Sequence, residues 1–144
     1  MNTSALRQAQ PAPGGGVVYR MVAPRRADAV RVVRDWVVSV LRANGCGRLG
    51  ERARLCASEV ATNVYLHTDS PEIAVEVTFS ASRVTVCVFD CEPGRWPEPG
   101  TAPPLATRGR GLLLVAAHAD DWAAVVQGDC VKAVWFGFAV EWAR

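Results

Sequence analysis

At 144 residues, half of them apolar, the chain has the size of one compact domain and enough apolar side chains to bury a core. The formal net charge is only +2, with basic and acidic residues interspersed, which excludes the electrostatic footprint of a protein that binds nucleic acid or anionic lipid directly. The longest apolar run, Leu112 to Ala117, is far too short to span a bilayer, and no secretory signal pattern opens the chain, so a cytoplasmic protein with no membrane partner is expected.

Residues 1–16 are polar and small and end in Pro11, Pro13 and Gly14 to Gly16, a composition that predicts a disordered tail. Val17 to Val22 reads as a short strand. Pro24 to Asn44 reads as a helix, because Val30, Val33, Trp36, Val37, Val40 and Leu41 recur at helical spacing before Gly45 stops it. A second helix is expected from about Leu49 to His67. Glu72 to Ser80 and Arg83 to Phe89 alternate apolar and polar residues like two strands joined by a tight turn at Ala81 and Ser82. Between Cys91 and Arg108 five prolines interrupt any helix or central strand, and an unstructured loop of this length inside a domain is usually functional or disordered. Gly111 to His118 then reads as a short helix, and Trp122 to Gln127 and Val131 to Val140 as two closing strands. This order favours a two-layer α/β sandwich, with helices on one face of a mixed, mostly antiparallel sheet.

The five cysteines, Cys46, Cys56, Cys87, Cys91 and Cys130, form no CxxC pair and no repeated ligand spacing. They read as free thiols acting as small hydrophobes in a reducing compartment, the alternative being a zinc set of Cys87, Cys91 and His67.

Four features carry chemistry. On the second helix Glu59, Asn63 and His67 follow one another at i, i+4 steps and so share one polar stripe, bordering the apolar face of Ala53, Cys56, Ala57, Val60 and Val64. The stripe reads either as the wall of a cleft or as a solvated helix face. Asp90 ends an apolar strand where a carboxylate could accept a hydrogen bond from an exocyclic amine, or simply cap a turn. Thr107 to Leu112 places Gly109 and Gly111 before a helix whose free amides could hold phosphate, with Arg108 and Arg110 adding charge, although such a segment is as often a plain turn. Lys132, the only lysine, could reach a phosphate or protect an edge strand.

In this order, Glu59 with Asn63, Asp90, the Pro/Gly loop, Gly109-Arg110-Gly111-Leu112 and Lys132-Ala133-Val134-Trp135 resemble the GHKL superfamily of ATPases and kinases, over about residues 17–140. The short length, the SEVATNVYLHT helix and the VKAVWF ending look most like its small anti-sigma factor serine/threonine kinases. The resemblance implies the Bergerat ATP-binding fold, a histidine kinase-like ATPase domain over residues 17–144 with a lid over 91–108. It also implies ATP and Mg2+ as cofactors. Asn63 would be the magnesium ligand, Glu59 the general base, Asp90 the adenine partner, and Gly94, Gly109, Gly111 and Leu112 would serve the nucleotide, with His67 supporting the phosphate side.

Glu92, Thr107 and Ala133 depart from the superfamily pattern, Ala133 standing where a threonine often assists adenine binding. Each hydrogen bond lost in this way is expected to cost about 1 kcal/mol, roughly fivefold in ATP affinity. The function implied is a kinase that binds a sigma factor and phosphorylates an anti-sigma factor antagonist, as a possible homodimer. The alternatives are a non-catalytic nucleotide-dependent module that sequesters a regulator, and a structural domain with no nucleotide site.

Overall fold

The computed structural model describes residues 16–91, 110–127 and 131–141. The expected tail, apart from Gly16, lies outside the described residues, as do the loop beyond Cys91 and the positions Gly94, Arg108 and Gly109. Five strands and three helices follow in the order β1 (Val17–Pro24), α1 (Ala29–Ala43), a 3-10 turn (Gly47–Leu49), α2 (Gly50–His67), β2 (Glu72–Phe79), β3 (Arg83–Asp90), α3 (Arg110–His118), β4 (Asp121–Gln127) and β5 (Val131–Ala139).

The strands form one sheet in the order β1-β2-β3-β5-β4, antiparallel at every junction. The helices cover one face, giving the expected two-layer α+β sandwich, and the anticipated mixed sheet proves antiparallel throughout among the described residues. Alternation along the strands sends Ile73, Val75 and Val77 of β2 and Val84, Val86 and Val88 of β3 into the core beneath α1 and α2. From the helices, Val33, Val37 and Leu41 of α1 and Ala53, Cys56, Ala57, Val60 and Val64 of α2 meet them.

The first helix begins five residues later than the apolar spacing predicts. Pro24 instead ends β1, opposite Glu72. The next residue is tied to the β2 side of the fold, its amide donating to Pro71 O at 3.0 Å and its guanidinium to Ser70 O at 2.8 Å and Tyr65 O at 3.1 Å. With Arg25 fixed there, the chain turns through Arg26 to Asp28 before it can coil. The other end is where the sequence places it: Asn44 donates its side-chain amide to Val40 O at 2.8 Å, and Gly45 at φ 75° takes the left-handed turn that lets Cys46 N reach Leu41 O at 2.8 Å.

The opposite face of the sheet carries Ala74, Cys87, Phe89, Val131 and Ala133, with Val22 and Trp135 packed against them. Glu76 lies on this face, 3% exposed, in an ion pair with Arg20 of β1. Burial pushes the Cys87 thiol up to about 12 and Cys56 up to about 11, so neither is a thiolate at neutral pH. Cys46, Cys56, Cys87 and Cys91 form no disulfide with one another, and among the described residues no three metal-ligating side chains come together, so Cys87, Cys91 and His67 do not gather as a zinc set. No helix among the described residues is long and apolar enough to cross a membrane.

Candidate nucleotide site

Two contacts at the start of α2 set the frame of the site. Arg52 donates from Nε to His118 O at 2.8 Å and from Nη2 to Asp120 Oδ1 at 3.1 Å, and its guanidinium lies 4.9 Å from the Phe138 ring centre. Asp120 in turn accepts the Ala139 amide at 2.7 Å. That amide above all, joined by the Arg52 and Arg83 guanidiniums, holds the Asp120 carboxyl below the usual aspartate range against the opposing effect of desolvation.

The beginning of α2 is thus fastened to the end of α3, and the two helices pack on each other, so they run antiparallel. At 1.5 Å per residue, the eight steps from His118 back to Arg110 span about 12 Å, which brings the head of α3 level with roughly Val60 on α2. The first turn of α3, at Arg110, Gly111 and Leu112, therefore comes beside the Glu59 to Asn63 stretch. Glu59 and Asn63 are half-buried, flanking the core residues Val60 and Val64, while His67 ends the helix exposed. Two of the three stripe residues are thus partly withdrawn from water.

The other end of α2 is joined to the end of β3. Thr68 donates to Val64 O at 2.8 Å and accepts from Ser70 N at 3.2 Å. The Ser70 hydroxyl donates to Glu72 O at 2.7 Å and accepts the Cys91 amide at 2.9 Å. Ser70 is fully buried, and together with Arg25 it binds the helix end to the residue that follows Asp90. Replacing Ser70 by alanine takes away one partner each from Cys91 N and Glu72 O in a buried place. It is expected to cost about 2 kcal/mol in urea unfolding, against less than about 0.5 kcal/mol for the exposed Asp69→Ala.

Asp90 pairs across the sheet with Ile73 and Lys132, on the side facing the helices. It is 1% exposed, and Lys132 Nζ stands 3.4 Å from its Oδ2. Asp90 is therefore a buried carboxylate under the helix layer, not a turn cap. Lys132 departs from both expectations. It lies on β5, an interior strand between β3 and β4, so it guards no edge, and its ammonium rests on Asp90 and not at the head of α3. Ala133, expected to leave a gap at the base, pairs with Phe89 on the opposite face of the sheet. A hydroxyl at that position would point away from Asp90, and the affinity loss expected from Ala133 is withdrawn.

Sequence reasoning missed Arg25, Arg52, Thr68 and Ser70, which hold these elements in place. The Thr68-Asp69-Ser70-Pro71 run directly after a helix is a turn signature that could have flagged two of them. The arginines carried no such signal among fifteen of their kind.

A search of curated proteins found no match. The family model for the histidine kinase-like ATPase domain matches residues 23–135, which include Glu59, Asn63, Asp90 and Lys132. With that match over most of its length and a fold of the same kind, this chain belongs to the histidine kinase-like ATPase domain family and is an ATP-binding protein.

Proposed function

We propose that the chain is a serine/threonine protein kinase of the anti-sigma type, which binds a sigma factor, phosphorylates a small antagonist protein and exchanges these partners with its nucleotide state. The observation that supports this reading is the antiparallel packing of α2, which carries Glu59 and Asn63, against α3, whose head follows the Gly109 segment, with Asp90 buried at the sheet end. Asp90 accepts a hydrogen bond from the adenine amine. The amides of Gly111 and Leu112 bind phosphate oxygens, and Gly94, Arg108, Gly109 and Arg110 are assigned to the same phosphates on the family pattern.

The half-buried Asn63 supplies a neutral hard oxygen next to a carboxylate, which fits Mg2+, an ion that takes few protein ligands and the rest from water and phosphate. Bound there, Mg2+ would neutralise phosphate charge during transfer. Glu59 takes the proton of the acceptor hydroxyl as its oxygen bonds to the γ-phosphorus, and the bond from that phosphorus to the bridging oxygen breaks to release ADP. His67 supports the phosphate side from the helix end.

The edge strand β1, with Val17, Val18 and Tyr19 exposed, and the neighbouring Val32 of α1 offer a face to a second copy. The free buried thiols suit a cytoplasmic location.

Calorimetric titration with Mg-ATP and Mg-ADP tests the reading. Saturable binding is expected in the wild type and its loss, by tenfold or more in affinity, in Asn63→Ala and Asp90→Ala variants that stay folded. No binding up to millimolar nucleotide would refute it. Binding without phosphate transfer to any antagonist, with Glu59→Ala still sequestering its partner, would establish the non-catalytic module instead.

A further inference from the structure

Lys132 was expected to reach a phosphate or to protect an edge strand, and the structure sets its ammonium against Asp90, the carboxylate proposed to read the base. Both groups are withdrawn from water: the Asp90 side chain is 1% exposed and that of Lys132 is 13% exposed, with Nζ to Oδ2 at 3.4 Å. A carboxyl group so deeply buried would favour its neutral form, because desolvation penalises the charge by more than a neutral acid loses. An ammonium at this distance opposes that penalty and favours the anion.

The difference matters chemically. An ionised carboxylate only accepts hydrogen bonds and has about four lone-pair sites, so engagement of Oδ2 by Lys132 leaves acceptor capacity for a ligand. A protonated carboxyl can also donate. Adenine presents an amine at its 6-position, which donates; hypoxanthine and guanine present a carbonyl oxygen there, which accepts. An anionic Asp90 facing the 6-position therefore accepts from the adenine amine and repels the 6-carbonyl oxygen, so that a 6-oxo base would have to shift to offer its N1–H instead, whereas a neutral Asp90 can satisfy either 6-substituent in place.

We propose that Lys132 is the specificity-determining residue of the site, acting through Asp90 by holding its carboxylate in the acceptor-only form that selects a 6-amino purine over a 6-oxo purine. This rests on the nucleotide reading above and adds to it a residue and a function. Two features of the fold make the arrangement durable. Asp90 and Lys132 are direct cross-strand partners in the antiparallel β3–β5 ladder, so their pairing is set by register. β5 is flanked on both sides, which keeps the backbone of Lys132 from fraying.

The test compares ATP with inosine triphosphate, in which a carbonyl oxygen replaces the 6-amine and N1 carries a proton. Mg-ATP and Mg-ITP are titrated into wild type, Lys132→Met, Lys132→Arg, Asp90→Asn and the Lys132→Met/Asp90→Asn double variant, each checked for folding by circular dichroism. The wild type is expected to bind ATP more than tenfold tighter than ITP. Lys132→Met should collapse that ratio toward one, chiefly through weaker ATP binding, and Lys132→Arg should restore most of it. Because Lys132 acts through Asp90, adding Lys132→Met to Asp90→Asn should change the ratio no further.

A Lys132→Met protein that keeps the wild-type ATP-to-ITP ratio overturns the proposal, even if both affinities fall together, since that is what a merely structural lysine would give. If Lys132→Met does not fold, a wild-type ratio in Lys132→Gln overturns it equally. Failure of the wild type to bind either nucleotide refutes the nucleotide reading itself, a result distinct from an unchanged ratio.

Discussion

Arg20→Met is expected to lower the unfolding free energy by about 3 kcal/mol at neutral pH, the cost of leaving a buried carboxylate without its ionic partner. Glu76 is the residue left behind. It sits 3% exposed in the middle of β2, on the sheet face away from the helices, and its Oε2 already has no hydrogen-bond partner among the described residues. Burial pushes the Glu76 carboxyl above the ordinary glutamate value, opposed by the hydrogen bond and the charge of Arg20.

The sign follows from that direction. The native state holds the Glu76 proton more tightly than the unfolded chain, so stability falls as pH rises through the interval between the ordinary value of about 4.3 and the raised one. Removing Arg20 deletes the two opposing contributions and extends the interval upward. The deficit of Arg20→Met should therefore be largest near pH 7.5 and shrink as pH is lowered toward 5. Urea unfolding at the two pH values measures it. The paired change Arg20→Met/Glu76→Met should recover wild-type stability or exceed it, because replacing a buried ion pair by apolar residues is often neutral or stabilising. Wild-type stability of the single variant at pH 7.5, or a double variant as poor as the single one, would contradict this account.

The second large effect concerns chemistry rather than stability. Glu59→Gln should reduce the single-turnover rate of phosphate transfer by roughly a hundredfold to ten-thousandfold, the range for losing a general base, while the Mg-ATP dissociation constant stays within about threefold. The separation is expected because Glu59 is half-buried on the stripe beside the core, outside both Arg52's contacts and the Thr68–Ser70 junction. The glutamate and glutamine side chains have nearly the same size and differ in charge. A parallel fall in binding and transfer would assign Glu59 to nucleotide binding; no fall in transfer would remove it from the chemistry.

Much of this architecture is legible in the residues. The helical spacing of α1 and α2, the Gly45 stop and the β2–β3 hairpin follow from local pattern, and the elements expected there are found with boundaries moved by a few residues. What local pattern does not carry is which face a strand turns to water. Glu76 falls between Val75 and Val77 as an alternating polar residue should, and alternation alone would assign it to solvent; Arg20, fifty-six positions earlier, is what allows its burial. Lys132 is the same case at the site. A lysine near the end of a chain has many uses, and only the β3–β5 register, a long-range property, puts it against Asp90. Ala133 shows the converse, since a family pattern names the position but the pleat decides which face of the sheet it reaches.

Asp90 and Phe89 are consecutive residues of β3 that project to opposite faces of the sheet, one beside Lys132 toward the helices and the other fully buried with Ala74 and Ala133. A slip of β3 by a single residue would exchange them, driving a phenyl ring into the place of the carboxylate proposed to read the base and a charge into the apolar patch. Molecules misassembled in this way would lose the proposed purine contact in the same step that spoils their packing. Retention on immobilised ATP should then act as a sieve for chain fidelity, enriching refolded material in correctly registered molecules without any separate assay of conformation.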